Sequence, residues 1–363
     1  VKSLPKHSAP ENRRLRVALD LRLAAYQPAG IARYAIELAQ ALDSTNELEL
    51  VELHSRKDPV HGPRSRRLFT PPHHAFERYT LGIEALLRAG SPLDVFHATD
   101  FIVPRIPGVA TVATVHDLTF LRHPEFLPPE SLDYYRQIRR SQRWTDSWIT
   151  PSAWTARDLE AWLGIASERV FVIPHGVPSH LTSVEIVPLE ERGNFLLTVG
   201  TIEPRKRFDL LLDALDRMPE TPPVYLAGRP GWCSEGLQRR IAADSRITWI
   251  RQGSDEQLTD LFRRARALVV PSIEEGFGLQ ALEAMACGTP VVSSGGGALS
   301  EVTGRAALEP GDPSPEAWAA ALERVCADDT LWSELSEAAV RRARHFSWSN
   351  AAAETIKVYQ ETS

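Results

Sequence analysis

Two glutamates with seven residues between them, Glu275 and Glu283, bracket a glycine turn in Glu275-Gly276-Phe277-Gly278-Leu279. Gly276 and Gly278 free backbone N–H groups at the start of a helix, where the helix dipole favours an anion. A helix advances roughly 100° per residue, so Glu283 lies roughly 40° from Leu279 and beside Leu282 and Ala286. That is the margin of a buried face, where an unpaired charge is costly. A carboxylate accepting hydroxyls, such as those of a ribose, next to an anion held by the loop accounts for the pattern, and it is the chemistry of a nucleotide-sugar site.

A second set of charges follows another apolar run. Phe195–Val199 ends in Gly200, and Arg205-Lys206-Arg207 precede the apolar segment Phe208–Leu215. An Arg fork and a Lys point charge together suit a diphosphate, and cations at a helix start otherwise oppose the dipole. His116 and Asp117 end a third run, Thr114-Val115-His116-Asp117, where the carboxylate could orient the imidazole toward a cleft. A satisfied structural His–Asp pair is the alternative. His97 ends the neighbouring run in the same layer. Gly30 opens a helix after the first strand, and Gly228, in Gly228-Arg229-Pro230-Gly231-Trp232, is expected to help wall a nucleotide pocket.

These groups need elements that bring them together. Short continuous apolar runs alternate with helical patterns, which predicts parallel strands covered by helices on both faces. One series is expected at Arg16–Leu21, Asp94–His97, Val109–Val115, Ser147–Thr150 and Val170–Ile173. A second is expected at Phe195–Val199, Val224–Ala227, Ile247–Arg251, Ala267–Val270 and Val291–Ser293. The implied fold is α/β, two doubly wound Rossmann-like domains facing across a cleft. The boundaries read as a mobile tail over 1–14, a first domain over 15–178, a linker over 179–193 and a second domain over 194–345. A terminal helix over 346–363 follows, with Trp348, Ala352, Ile356 and Tyr359 on one face.

Composition narrows the classes. A length of 363 residues suits two domains, and no run approaches the roughly 20 apolar residues of a membrane span. No apolar signal core opens the chain, and Cys233, Cys287 and Cys326 form no Cys-x-x-Cys pair, so a reducing cytoplasm is expected. The net charge of −6 argues against nucleic-acid binding. Residues 1–180 nevertheless carry net +2 and residues 181–363 net −8. The basic excess gathers at Arg64, Arg66 and Arg67 and at Arg136, Arg139 and Arg140, the latter after Tyr134 and Tyr135. Such a surface either is a solvated helix face or touches anionic headgroups or an acceptor. Neither a dinucleotide glycine fingerprint nor a phosphate loop nor an Asp-x-Asp pair is present, so no metal and no cofactor is expected.

In these residues the chain resembles the retaining glycosyltransferases of family 4, which have the GT-B fold. The resemblance runs from about residue 15 to residue 348. It is most specific at Glu275, Gly276–Leu279 and Glu283, and continues through Gly200, Glu203, Arg205 and Lys206, Val115-His116-Asp117 and Ile173-Pro174-His175-Gly176-Val177. It implies that Arg205 and Lys206 hold the diphosphate of a nucleoside-diphosphate sugar. It further implies that Glu283 binds the ribose, Glu275 the transferred sugar, and the Gly276, Phe277, Gly278 and Leu279 segment the sugar and phosphate. His116 would line the sugar pocket from the first domain, Gly30 would approach the phosphates, and the acceptor would bind mainly to the first domain. The reaction implied is metal-independent, with retention, to a glycan or lipid-linked acceptor, at the cytoplasmic side; peripheral contact with an anionic inner membrane face is what the basic patches, read as a headgroup surface, would add. GDP-mannose is the favoured donor by general likeness to mannosyltransferases of surface polysaccharides. A nucleotide-sugar 2-epimerase of the same fold and a non-catalytic nucleotide-sugar-binding subunit are the alternatives. Gln280 stands where the family often has proline, and Ser293-Ser294-Gly295-Gly296-Gly297 is richer in glycine than usual, which bears on donor preference.

Overall fold

The computed structural model describes residues 13–25, 30–56, 58, 62–72, 74, 76–90 and 92–363. All of the expected tail over 1–14 except Arg13 and Arg14 lies outside the described residues. Seven strands form the first sheet: β1 (Leu15–Asp20), β2 (Leu48–Ser55), β3 (Ser65–Leu68), β4 (Val95–Ala98), β5 (Ala110–Thr114), β6 (Ser147–Thr150) and β7 (Val170–Val172). Their order is β3-β2-β1-β4-β5-β6-β7. Six strands form the second: β8 (Leu196–Val199), β9 (Val224–Ala227), β10 (Ile247–Ile250), β11 (Ala267–Val270), β12 (Val291–Ser293) and β13 (Ala307–Leu308), in the order β10-β9-β8-β11-β12-β13. The registered pairs are parallel, so the α/β, doubly wound reading holds for both sheets.

The helices between strands are α1 (Gly30–Thr45), α2 (Glu77–Ala89), α3 (Thr119–Arg122), α4 (Pro129–Tyr135), α5 (Ile138–Ser141) and α6 (Ala153–Leu163). In the second half they are α7 (Phe208–Leu215), α8 (Glu235–Ala243), α9 (Asp255–Arg264), α10 (Leu279–Ala286), α11 (Leu299–Thr303), α12 (Pro315–Ala327), α13 (Asp329–Ala343) and α14 (Trp348–Thr362). The chain divides into two compact units. One comprises Val1–Thr114, Trp144–Ser147 and Ala352–Ser363, the other Val115–Arg143 and Trp148–Ala351.

Strands β2, β3 and β13 were not among those the sequence predicts. In β2, Glu49 and Glu52 interrupt the apolar run; β3 carries Arg66 and Arg67 at the edge of the sheet; β13 has two residues. Charges on an edge strand discourage pairing with a further strand, and they hide the strand from a search for apolar runs.

In the second unit, alternate residues of one strand feed opposite faces of the sheet, as the period of 2 requires. Leu196, Ala267, Val269 and Val292 pack with Phe208, Leu211, Trp318 and Leu322. Leu197, Leu268, Val270 and Val291 pack on the other side with Phe262, Leu282, Met285 and Phe346. Both faces are therefore dry, which explains the continuous apolar runs. The segment read as a linker is anchored to this unit. Arg192 donates to the carbonyls of Val187, Ala265, Cys287 and Gly288 and to Thr289 Oγ1.

In the first unit, His97 is buried between the Tyr359 hydroxyl, 2.6 Å from Nδ1, and Thr114 Oγ1, 2.8 Å from Nε2. Tyr34 hydroxyl completes the row, 2.8 Å from the same Thr114 oxygen. His97 thus has a packing role, and the α14 face bearing Ala352, Ile356 and Tyr359 is buried, as its spacing predicts.

Candidate active site

In the second sheet, β8 has β9 on one side and β11 on the other, so the chain changes direction across the sheet at β8 and β11. Open parallel sheets bind ligands beyond the carboxyl ends of strands at such a switch point. The loop after β8 carries Gly200, Glu203, Arg205 and Lys206; the loop after β11 carries Ser272, Glu274 and Glu275. Two hydrogen bonds interlock them, one within the main chain and one from a side chain: Ile273 N donates to Arg205 O at 2.9 Å, and Arg205 Nη1 to Glu274 O at 2.8 Å.

Glu275 is the centre of this arrangement. Its Oε2 accepts from Arg205 Nη1 at 2.7 Å, and its Oε1 from Lys206 Nζ at 2.6 Å, from Ser272 Oγ at 2.7 Å and from Gln280 Nε2 at 3.1 Å. Arg205 also donates to Glu203 Oε1 at 2.7 Å. Burial alone would raise the Glu275 pKa, but the charges of Arg205 and Lys206 and these hydrogen bonds hold it well below the usual carboxylate range. Burial likewise works against the charge on Arg205, yet Glu275, Glu203 and Asp117 raise its pKa above the ordinary value. Two cations face two carboxylates, so the cluster is balanced by itself. Cations at this turn therefore do have an internal partner, which the helix-dipole argument had left open.

Glycines let the backbone close around this cluster. A Cβ on Gly276 would fall 2.0 Å from His116 O and 2.6 Å from Asp117 Cβ, so only glycine brings the Glu275 loop this close to His116 and Asp117. Gly228 meets Gly200 similarly, with a Cβ at 1.8 Å from Gly200 O, so its role here is close packing of two loops. Gly278 has φ +98° and leads into α10. Leu279 is the first residue of that helix and Glu283, on the same helix, is buried. Phe277 packs its ring 4.7 Å from that of His175, which in turn lies 5.6 Å from His116. Burial first, and the neighbouring His116 second, push the His175 pKa well below the ordinary imidazole value, so His175 is neutral. Burial and the Glu283 charge push the Cys287 thiol up to about 12, so it is no nucleophile at neutral pH.

His116 is thus grouped with Glu275, Arg205 and Lys206 in one compact unit. Asp117 accepts the Thr119 N–H at 3.1 Å. Gly30 begins α1 and is exposed, in the first unit. Arg64 is paired with Asp43, Arg66 donates to the carbonyls of Pro63 and Ser65, and Arg67 lies on β3. Arg136 pairs with Asp133 at 3.1 Å, and Arg139 and Arg140 are exposed on α5. Among the described residues, no group of three His, Cys, Asp or Glu is placed to hold a metal, and no helix is long and apolar enough to cross a membrane.

Sequence reasoning passed over several supporting residues. Ser152 caps α6 and donates from Oγ to Gly276 O at 2.7 Å, so α6 is tied to the glycine turn. Its signal was the Ser152-x-x-Thr155 spacing of a helix cap. Gln280, noted only as a departure, is a ligand of Glu275. Ser272 gave no signal beyond its place two residues past a buried strand.

Two doubly wound parallel sheets along one chain, with charged loops at a switch point, define the GT-B class of enzymes. A model of the group 1 glycosyl transferases matches residues 182–346, and one of Glycosyltransferase Family 4 matches residues 28–181. The chain belongs to this family and is a glycosyltransferase. It is 30% identical to O-antigen chain mannosyltransferase B of Escherichia coli over 371 residues, covering 92% of this chain and 97% of that one. Sucrose-phosphate synthase of Thermosynechococcus elongatus shares the fold, with a TM-score of 0.77 and 22% identity over 96% of this chain and 99% of that one. Anabaena HepE, solved in complex with UDP and glucose, shares it with a TM-score of 0.73 and 16% identity over 96% and 100%.

Proposed function

We propose that the protein transfers mannose from GDP-mannose to a glycan or lipid-linked acceptor, with retention and without a metal. The observation that carries this reading is the cluster of Arg205, Lys206 and Glu275 at the switch point of the second sheet. The mannose assignment draws on the name of the Escherichia coli relative, which the chain matches almost end to end. HepE, with UDP and glucose bound, supports a nucleotide sugar as the donor class.

The charge balance of the cluster suggests how the donor enters. A diphosphate replaces the Glu275 carboxylate as the partner of Arg205 and Lys206, and Glu275 turns its oxygens to sugar hydroxyls. Charge-assisted bonds are conserved in number, so the buried charges are never left unpaired. The acceptor hydroxyl then attacks the anomeric carbon from the face of the departing diphosphate. The bond from that carbon to the phosphate oxygen breaks, and a phosphate oxygen takes the acceptor's proton. Positioning and stabilisation of the leaving diphosphate by Arg205 and Lys206 are the protein's part. His116 and Glu283 are assigned the sugar and the ribose.

Mass-spectrometric detection of nucleotide release tests the reading, with guanosine-, uridine- and adenosine-diphosphate sugars, with and without EDTA. GDP release from GDP-mannose alone, unchanged by EDTA, is the expected result. Release from another donor overturns the donor, EDTA sensitivity overturns metal independence, and no binding of any nucleotide sugar by calorimetry overturns the reading as a whole.

A further inference from the structure

Glu274 and Glu275 are neighbours in sequence with opposite partners. Glu275 turns to Arg205 and Lys206; Glu274 Oε2 lies 3.2 Å from Arg122 Nε and 4.0 Å from His123 Nε2. On the Glu274 side is a cavity of about 580 Å³, whose wall also includes Trp154, Arg157, Glu301 and the glycines 295–297. Its size is that of a small-molecule site. We infer that this cavity is the acceptor subsite and that it takes the acceptor as a neutral sugar ring. The inference rests on the donor assignment above and places part of acceptor recognition in the same unit as the donor loop.

Charge decides the class of ligand. Two guanidinium groups and two carboxylates line the cavity, and each cation already has a carboxylate. Arg122 is paired with both Asp158 and Glu274, and Arg157 lies 3.6 Å from Glu301. Both Glu301 oxygens accept at the start of α6, from the N–H groups of Ala153 and Trp154, each at 2.7 Å. That helix end, which would otherwise attract an anion, is therefore occupied by the protein's own carboxylate. A phosphate entering here would gain no free cation and would face two carboxylates. A polyol, in contrast, can donate hydroxyls to carboxylates and accept from guanidinium forks at once.

The walls fit that ligand. Trp154 is held on the cavity wall with the Arg122 guanidinium 4.7 Å from its ring centre. Gly296 and Gly297 have no room for side chains, since a Cβ would fall 2.0 Å from Ile273 O and 2.4 Å from Glu275 O respectively. The ligand therefore meets bare main chain on that side, next to the backbone of Glu275. Burial, with Asp117 adding to it, raises the Glu274 pKa above the ordinary carboxylate value even though Thr119, Arg122 and His123 act the other way, so the group is set among donors. The run Ser294-Gly295-Gly296-Gly297, noted in the sequence for donor preference, acquires a role toward the acceptor.

Ligand-observed saturation-transfer NMR, with GDP present, tests this with methyl glycosides of mannose, glucose, galactose, rhamnose and N-acetylglucosamine, and with mannose 6-phosphate and inorganic phosphate. The proteins are the wild type, Trp154→Ala, and Ser300→Phe, which fills the cavity from an exposed position. At least one neutral glycoside is expected to give a signal that both variants weaken, by about tenfold in affinity for Trp154→Ala. Should Trp154→Ala fail to fold, Ser300→Phe alone decides. The inference is overturned if no neutral glycoside signal is sensitive to the variants, or if only the two anions respond. Calorimetry of GDP-mannose on the same samples separates the two assignments. Donor binding kept in a protein without a neutral-sugar signal removes the acceptor subsite alone, and donor binding absent from the wild type removes the donor reading.

Discussion

Lys206→Ala removes one of the two cations that hold Glu275. Lys206 is 8% exposed, and its Nζ is 2.6 Å from Glu275 Oε1. Stripping one partner from a buried pair costs about 3–5 kcal/mol when the remaining charge is left uncompensated. Glu275 is not left so, because Arg205, Ser272 and Gln280 still donate to it at 2.7, 2.7 and 3.1 Å. The expected loss of stability is therefore about 1–2 kcal/mol, a fall in Tm of about 2–8 °C. The expected effect on transfer has a different origin, since in the proposed reaction the lysine charge acts on the leaving diphosphate. Losing one such preorganised charge is worth about 2.7 kcal/mol, or about 10² in kcat. Lys206→Met separates the two contributions, because it keeps an aliphatic stem beside Gly200, where Lys206 Cε would lie 3.2 Å from a Cβ, and deletes only the charge. Initial rates of nucleoside-diphosphate release, with melting curves on the same samples, are the assay. If both variants are folded and keep kcat within about threefold of the wild type, the diphosphate assignment of Lys206 is wrong.

Gly276→Ala would drive a Cβ to 2.0 Å from His116 O, main chain against main chain. It is expected to destabilise by about 3–5 kcal/mol and abolish donor binding, whereas Gly236→Ala on α8, with nothing within 4 Å, is expected to be neutral or stabilising in the same melting assay. For Glu275 the sign of the pH dependence follows from its depressed pKa. Its ionised form is favoured in the folded state, so its stabilisation is full above the unfolded value of 4.5 and is lost progressively as pH falls below it. Denaturant titrations of wild type and Glu275→Gln should differ by a constant amount from pH 7 to about pH 5 and converge below that range; a gap that instead widens on acidification refutes the pairing. Tyr359→Phe deletes the 2.6 Å bond to buried His97, and a loss of about 1–3 kcal/mol is expected in chemical unfolding, with donor affinity unchanged.

What could be read in the sequence, and what could not, follows from how each group is held. The central strands of the second sheet were legible because both of their faces are dry: in β11, Ala267, Leu268, Val269 and Val270 are all buried, and alternate members serve two different packed clusters. The first sheet's β2 was not, because Glu49 and Glu52, three residues apart, interrupt its apolar run. Glu275, Gly276, Arg205 and Lys206 were legible because charged and glycine residues directly after buried strands have few other uses. Their mutual neutralisation was not, since no spacing rule says that a carboxylate 70 residues from Arg205 will be its partner.

The internal neutralisation bears on why the site is built from a glutamate at all. Glu203 neutralises only one of the two buried cations, so without Glu275 the other would be uncompensated, which is strongly unfavourable, and the fold would have to make up that loss elsewhere. Glu275 supplies the missing anion while the site is empty, held in reach by the Ser272 and Gln280 bonds on one oxygen. In the proposed reaction the arriving diphosphate competes with a carboxylate already in place, so binding gains only the difference between two charge-assisted sets. That difference favours the diphosphate by its larger charge and by the hydroxyls that Glu275 can accept once released. A glutamine at 275 would leave Arg205 and Lys206 with fewer partners in the empty state and would make the site more, not less, attractive to free phosphate. Glu275→Gln is accordingly expected to bind inorganic phosphate more tightly than the wild type while losing transfer. Isothermal titration with phosphate reads this directly, and weaker phosphate binding by Glu275→Gln would show that Glu275 does not compete for these cations.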